Sequence, residues 1–367
     1  MKKGEILKKE EGLTILRLEG SPYEMGYQHG RALEEEIRWL QTNLKNLFAR
    51  YEGILGRIAF PIFRCYSKIL EKNIPKEFRE EMRGISDGAG VDYNFILLEN
   101  LIEELGEIFY SLKSSIPFLK CSGFVAKDVE ANIIWGRNFD YLFYEVLPAL
   151  SIVFVYVPRQ GFPFISLSWP GVIAVPTGIS RDLSLITLSS PTKSRLFKGI
   201  AQEILTRQVI QYSQSLEEGI KEILSLPATV GQNLVLVSKN DAKIVEISPT
   251  KKAVRSLDGY LTATNHYQIK EMEEEQGSYN KPRNTSITDE FLTLEGSKRR
   301  AKRMEAFLSC NKITLEKAIE VLDSVSGPGT VQSVVCIPQK EEFWVAKRNQ
   351  PPVTKGEWIH FQIDDLL

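Results

Sequence analysis

A cysteine opens a β-hairpin near the middle of the sequence, and the hairpin carries residue types that suit a nucleophilic site. Cys121 begins the alternating segment Cys-Ser-Gly-Phe-Val, and the strand that returns after a turn at 128–132 ends in Gly-Arg-Asn-Phe-Asp-Tyr. Arg137 and Asp140 therefore lie 16 and 19 residues after the cysteine. Because a hairpin brings its two open ends together, we expect both side chains to lie beside the thiol.

This arrangement suits a nucleophile at the first position of a newly made chain. A free α-amino group has a pKa of about 8 and can act as the general base for its own side chain, so a histidine is not needed. We expect Asp140 to hold that amino group. We expect Arg137 to keep the thiol partly ionised, because a neighbouring guanidinium lowers the pKa of a cysteine. Asn265 follows a predicted strand, and its side-chain N–H makes it the candidate oxyanion donor.

The motifs around these residues resemble those of a known family. Cys121 with Gly-Arg-Asn-x-Asp-Tyr at its offset, and Thr-Asn-His-Tyr around Asn265, are similar to the N-terminal-nucleophile hydrolases. Within them the chain resembles the acyl-coenzyme A:6-aminopenicillanate acyltransferase group, and also the bile salt hydrolases and penicillin V acylases. Residues 20–30 look like the opening of the acyltransferase precursor. The segment 297–303 resembles the family's Ser-x-x-Arg-x-x-Arg helix, and Arg300 is our choice for the matching arginine.

The resemblance implies a precursor that cuts itself between Lys120 and Cys121. Residues 1–120 would form a smaller chain and 121–367 a larger one, and the two would stay together. The thiol would attack the Lys120 carbonyl, an N-to-S acyl shift would give a thioester, and water would release it. The same thiol would then take an acyl group from an N-acyl amide or acyl thioester and pass it to water or to an amine. The fungal acyltransferase has glycine where this chain has Lys120.

Other interpretations of these residues stay open. A family member that never cuts itself would act as a binding or scaffold protein, and a papain-like thiol hydrolase would use His266 as its base. An aromatic group near the site would either belong to the core or line an apolar acyl pocket. This group consists of Tyr141, Phe143, Tyr144 and Trp169. Which N-acyl amide or acyl thioester is the substrate does not follow from the sequence.

The elements that must position these residues change character near residue 120. Before it the pattern is mostly helical, apart from an alternating segment at 13–18, and Ser-Pro-Tyr-Glu at 21–24 has the residues of a capped helix start. After it, strands are grouped with two pairs of helices. Two sheets that each carry a helix pair predict an α+β, four-layer αββα sandwich, with 121–367 as its core. The segment 1–120 is expected to be helical and to pack on that core as one compact unit.

The bulk composition excludes several classes of protein. The 367 residues are 43% hydrophobic and 25% charged, close to the globular average. A net charge of −1 gives no reason to expect nucleic acid or a membrane as partner. Four cysteines without a CxxC pair predict neither a disulfide framework nor a zinc site, and we expect no cofactor. The start of the chain lacks the apolar stretch of a secretory signal, so we expect a cytoplasmic protein with a small-molecule substrate, and leave a homo-oligomer open.

Overall fold

Two β-sheets form the centre of the molecule. A computed structural model describes residues 4–10, 13–52, 54–110, 121–141, 143–194, 198–278, 289–310 and 313–367. Lys120, on the amino-terminal side of the predicted cut, lies outside the described residues. The strands are β1 (Glu5–Glu10), β2 (Leu13–Gly20), β3 (Ser122–Lys127), β4 (Ile133–Asp140), β5 (Ile152–Pro158), β6 (Phe164–Ser168), β7 (Thr177–Ile179), β8 (Ser184–Ser189), β9 (Gln232–Val237), β10 (Ala242–Ile247), β11 (Lys252–Ser256), β12 (Tyr260–Ala263), β13 (Thr330–Ile337), β14 (Glu342–Lys347) and β15 (Glu357–Gln362).

The strands divide into a large and a small sheet. The large sheet has nine strands in the order β1-β2-β5-β6-β7-β8-β9-β10-β11, and the small sheet has six in the order β12-β3-β4-β13-β14-β15. Neighbouring strands are antiparallel except for β2 and β5, which run parallel. The hairpin predicted after residue 120 is the β3–β4 pair at the middle of the small sheet, with Ser122 opposite Asn138.

Helices cover the outer face of each sheet. The helices are α1 (Pro22–Ala32), α2 (Glu34–Glu52), α3 (Ile54–Leu70), α4 (Lys76–Ala89), α5 (Tyr93–Glu99), α6 (Ile102–Tyr110), α7 (Gln202–Tyr212), α8 (Leu216–Ser225), α9 (Asp289–Leu292), α10 (Leu294–Cys310), α11 (Leu315–Ser324) and α12 (Ile363–Leu366). The pair α7 and α8 packs on the large sheet. The pair α10 and α11 packs on the small sheet, where Met304 and Leu322 join one apolar cluster with Phe124 and Val335. The predicted four-layer αββα sandwich is confirmed.

The segment before residue 120 is less purely helical than expected. The strand predicted at 13–18 is β2, but β1 was missed, because its run of charged residues does not show the apolar alternation of a half-buried strand. Leu16 of β2 pairs with Phe154 of β5, and both side chains are fully buried. Residues on both sides of the predicted cut therefore belong to one sheet.

The helix predicted at 21–24 begins with the expected cap. The Ser21 side chain accepts from the Glu24 backbone N–H, and Glu24 accepts in return from the Ser21 backbone N–H at 2.8 Å. Reciprocal bonds of this kind satisfy two of the N–H groups that every helix start leaves unpaired. Helix α1 consequently begins at Pro22.

Helices α1 and α4 lie unusually close together because each presents glycines to the other. A Cβ on Gly26 of α1 would lie 2.0 Å from the Glu81 carbonyl oxygen, and one on Gly84 of α4 would lie 2.3 Å from the Tyr23 carbonyl oxygen. The close approach carries Glu81 into the core, where its Oε2 lies 2.7 Å from Arg207 Nη2 of α7. Both side chains of this ion pair are almost fully buried, so it joins the amino-terminal helices to the layer on the large sheet.

Replacing Gly26 with alanine should therefore destabilise the protein. The added methyl meets backbone rather than a movable side chain, so α1 and α4 must separate, at a cost of about 3 kcal/mol. Gly329→Ala is the matched control, because a Cβ there meets nothing nearer than 3.4 Å. Chemical unfolding followed by circular dichroism measures both variants, and equal stabilities would contradict this account of the helix contact.

Candidate active site

Cys121 lies at the open end of the β3–β4 hairpin, one residue before β3 begins. Its side chain is 1% exposed, between the two sheets. Arg137 Nη2 lies 3.7 Å from the Cys121 Sγ, because β4 returns antiparallel and aligns its carboxyl end with the start of β3. The hairpin thus brings the sulfur and the guanidinium together as the strand pairing predicts.

Arg137 is fixed by partners on the opposite sheet. Its Nη2 also donates to the Thr187 carbonyl at 2.9 Å, and its Nη1 donates to the Thr177 hydroxyl. The guanidinium carbon stands 4.5 Å from the centre of the Phe139 ring. The side chain is 1% exposed, so its positive charge is held rigidly beside the sulfur. The two threonines were not among the sequence candidates, since only the packing of one sheet on the other brings them here.

Asp140 follows on the same strand and is also buried. One carboxylate oxygen, Oδ1, accepts from the Thr330 hydroxyl of β13, while Oδ2 has no hydrogen-bond partner among the described residues. Burial raises the pKa of Asp140 to about 7, although Arg300, Thr330 and Arg137 all act to lower it. The Asp140 backbone N–H also interacts with the sulfur. An acceptor oxygen without a partner therefore lies in the immediate surroundings of Cys121.

The thiol is less acidic than the sequence suggested. Burial raises the pKa of Cys121, and the lowering effect of Arg137 does not offset it. Removing a thiolate from water costs more than one neighbouring guanidinium returns, so burial outweighs Arg137 in the continuous chain. Arg137 acts on the pKa of Cys121 in the expected direction. The expectation that it keeps the thiol partly ionised concerns a chain that begins at Cys121 and stays a prediction.

Asn265 and Arg300 meet on the backbone side of Cys121. Arg300 Nη2 donates to Asn265 Oδ1 at 2.8 Å and lies 3.4 Å from the Cys121 carbonyl oxygen. Its Nε donates to the Ser122 hydroxyl at 3.1 Å. The Asn265 amide in turn donates to the Ser189 carbonyl at 2.8 Å. Asn265 and Arg300 are both fully buried, so this guanidinium links α10 to the start of β3.

The basic run on α10 has one buried member. Arg300 is 0% exposed, whereas Lys298, Arg299, Lys302 and Arg303 are exposed. One helix turn further along, Arg303 pairs with Glu290 and with the Ser324 carbonyl on the surface. Spacing along the sequence alone did not separate these residues, but the orientation of the helix does.

His266 is occupied away from the sulfur. Its Nδ1 lies 2.9 Å from the Thr264 hydroxyl and 2.8 Å from the Ser297 hydroxyl. Burial, with a further contribution from Lys298, lowers the pKa of His266 to about 4. Burial thus keeps the ring neutral, and its Nδ1 contacts hydroxyls just after β12 and on α10, an arrangement that gives no support to a cysteine–histidine pair.

A partly open cavity adjoins this site, and its empty space, open solvent included, is about 590 Å³. Of the four predicted pocket aromatics, Tyr141, Phe143 and Trp169 line it, whereas Tyr144 is half-buried and packs against the core instead. Phe139 also lines the cavity, and its ring stands 4.9 Å from that of Trp169. Phe139 also contacts the Arg137 guanidinium, which in turn contacts the Cys121 sulfur. The Phe139 ring therefore lies between the cavity and that guanidinium.

The cavity contains acidic residues that the sequence analysis missed. Glu99, Glu103 and Glu203 line it, and the last two carboxyls interact with each other. A signal was available in Ile102–Tyr110, where Glu103, Glu104 and Glu107 interrupt an otherwise apolar helix. Acidic residues in such a context either face solvent or are buried for a reason, and the pattern alone does not distinguish the two.

Two features are absent from the described ranges. No helix there is long and apolar enough to cross a membrane. Within the same ranges, no three histidine, cysteine, aspartate or glutamate side chains are arranged to hold a metal ion.

Comparison with known proteins gives matches at the level of family, sequence and structure. The family described as acyl-coenzyme A:6-aminopenicillanic acid acyl-transferase matches residues 129–335, a range that begins shortly after Cys121 and includes Arg137, Asp140, Asn265 and Arg300. An uncharacterized protein of Archaeoglobus fulgidus is 29% identical over 283 residues, which are 70% of this chain and 47% of that protein. Acid ceramidase of Rattus norvegicus is 24% identical over 249 residues, 60% of this chain and 58% of the ceramidase.

The chain spans about half the length of the curated relatives it matches. Among solved structures, the Caenorhabditis elegans ortholog of N-acylethanolamine-hydrolyzing acid amidase aligns with a TM-score of 0.46 and 18% identity, over 60% of this chain and 93% of that one. The family match covers more than half of the 367 residues. The chain therefore belongs to the acyl-coenzyme A:6-aminopenicillanic acid acyl-transferase family, as its motifs predicted.

Proposed function

We propose that this chain is a self-processing cysteine amidohydrolase or acyltransferase that cleaves or transfers the acyl group of N-acyl amides through a thioester on Cys121. The observation that carries the proposal is the contact of 3.7 Å between Cys121 Sγ and Arg137, at the start of a strand in a chain of this family. Acid ceramidase, a relative, is named for a substrate that is itself an N-acyl amide.

The first step is the cut between Lys120 and Cys121. The Cys121 sulfur attacks the Lys120 carbonyl carbon, the C–N bond to Cys121 breaks, and the released α-amino nitrogen takes the thiol proton. Water then hydrolyses the thioester, leaving a carboxylate on Lys120 and a free thiol on Cys121. The two chains 1–120 and 121–367 stay together because β2 lies between β1 and β5 in the large sheet.

The new α-amino group supplies the base that the continuous chain lacks. Its pKa is about 8 in model compounds, close to neutral pH. Asp140 Oδ2 lacks a partner among the described residues and is buried close to Cys121, so it is suited to accept from an ammonium there. A positive charge beside Asp140 also lowers the pKa of this carboxyl and helps to ionise the thiol.

Turnover of a substrate amide repeats the attack. The thiolate adds to the substrate carbonyl carbon, the leaving amine takes a proton from the α-ammonium group, and a thioester remains on the enzyme. Asn265 is the proposed donor to the oxyanion that forms in between. Arg300 fixes the orientation of that amide through Oδ1, so it acts as a positioning residue. Water or an amine then takes the acyl group from the sulfur.

Purified protein should consist of two fragments, of 120 and 247 residues (367 − 120). Cys121→Ala should leave a single chain and abolish hydrolysis of a decanoyl coumarin amide, because no thiol is available for either attack. Cys65→Ala, which changes an exposed cysteine on α3, is the control and should cut normally. Denaturing electrophoresis measures the cut, and a fluorescence assay measures hydrolysis of the coumarin amide.

A wild-type protein that stays a single chain would contradict the proposal and would favour a binding or scaffold protein instead. A Cys121→Ala protein that still cuts would assign the cut to another residue.

Arg300→Lys should slow both the cut and amide hydrolysis by about 100-fold, the usual loss when one oxyanion donor is misplaced. Lysine keeps the charge but cannot bond to Ser122 and Asn265 in the same fixed geometry. Arg303→Lys is the matched control on the same helix, and its rates should stay within about twofold. Rates of fragment formation and kcat values measure the difference. Equal effects of the two substitutions would contradict the positioning role of Arg300.

A further inference from the structure

The proposed catalytic steps do not use the acidic cavity beside Cys121. Its described lining combines the rings of Phe139, Tyr141, Phe143 and Trp169 with three glutamates, and it includes no lysine, arginine or histidine. Aromatic faces with a carboxylate are the combination that proteins use to bind alkylammonium groups, because ring quadrupoles and negative charge both attract a cation.

Two carboxylate oxygens at the cavity have no hydrogen-bond partner among the described residues. They are Oε2 of Glu99 and Oε1 of Glu203. Glu203 is only 7% exposed, and Glu103 next to it is 8% exposed, so water does not replace the missing donors freely. A buried acceptor without a donor is destabilising, and a ligand that brings N–H groups would remove that cost.

The positive charges near the cavity do not pair fully with its carboxyl groups, so a bound cation could interact with them. Glu103 and Glu203 interact with each other, and Glu103 Oε2 also accepts from Gln202 Nε2 at 3.0 Å. The charge of Arg137 acts on Glu203, but its terminal nitrogens are bonded to Thr177 and Thr187. Burial raises the pKa of Glu203 to about 7 and that of Glu103 well above its usual value. A cation bound between these carboxyls would stabilise their ionised forms.

The position of the cavity indicates which part of the substrate it would bind. Side chains alternate along a strand, so Arg137 and Phe139 of β4 share the face that looks toward the large sheet. Asp140 points to the other face, toward Thr330. In the proposed mechanism the leaving amine receives its proton near Asp140, so the acyl part of the substrate extends to the opposite face, into the cavity.

Resting on the proposed function, we infer that the cavity lined by Glu103 and Glu203 is a subsite for an alkylammonium group, so that the substrates are amides whose acyl part carries an amine. The cavity lining is mostly apolar with a few polar groups, as is usual for small-molecule sites. The apolar walls contact the methylene chain, and the carboxylates bind the ammonium at its end.

Binding is tested first, because it does not depend on catalysis. Hexylamine should bind to the full-length Cys121→Ala protein in titration calorimetry, at least about tenfold more tightly than hexanol, which has the same chain but no charge. Glu203→Gln and Glu103→Gln should each weaken hexylamine binding by about tenfold or more. Glu104→Gln is the matched control, since Glu104 is equally buried on the same helix, accepts from the Gln202 backbone N–H and does not line the cavity. Thermal unfolding without ligand confirms that each variant is folded.

Turnover is tested second, with a pair of substrates that differ in one group. The coumarin amide of ε-aminocaproic acid should have a kcat/KM at least about tenfold above that of the heptanoic amide, and Glu203→Gln should bring the two values together. Equal hexylamine and hexanol affinities, or a preference for the heptanoic amide, would overturn the inference. If neither amide is cleaved while hexylamine binds as stated, the proposed function fails and the cation subsite stands.

Discussion

The charge of Arg137, buried between two sheets, is the constraint on which the rest of the site depends. The side chain starts on the small sheet and ends on hydroxyl and carbonyl oxygens of the large one. A guanidinium with so little access to water is costly unless its donors are paired, so the register that supplies Thr177 and Thr187 to its two terminal nitrogens stabilises the contact between the sheets, while Nε has no hydrogen-bond partner among the described residues. The same register sets the distance to Cys121 and forms the wall of the adjoining cavity.

Burial has the largest effect on the pKa values of three acidic groups near that charge. The thiol of Cys121 and the carboxyls of Asp140 and Glu203 all have raised pKa values, because water is excluded more effectively than two guanidiniums compensate. In the continuous chain burial therefore shifts these groups toward their protonated forms. An α-ammonium group at residue 121 would add the missing positive charge where Asp140 has an unused oxygen. This is an electrostatic reason why a cut would change the chemistry of Cys121.

Some of this was accessible from the sequence and some was not. The β3–β4 hairpin is a local structure, so spacing alone placed Arg137 beside Cys121, and motif similarity located Asn265 and Arg300. Partners from distant parts of the chain were missed, because Thr187 and Glu203 reach the site only after the layers pack. The charged strand β1 shows no alternation, and Tyr144 turns away from the cavity although its neighbours face it. The sequence revealed the charge beside the thiol but not the depth of burial, which raises the pKa of Cys121 in the continuous chain.

The central claim is that Cys121 is the covalent nucleophile at the start of its own chain. Mass spectrometry of protein quenched in acid during turnover of a decanoyl coumarin amide tests this most directly, because acid preserves a thioester. The account predicts a fragment that begins at Cys121 and carries one decanoyl group on that residue. An acyl group on any other residue, or an acylated chain that still contains residues before Cys121, would contradict it.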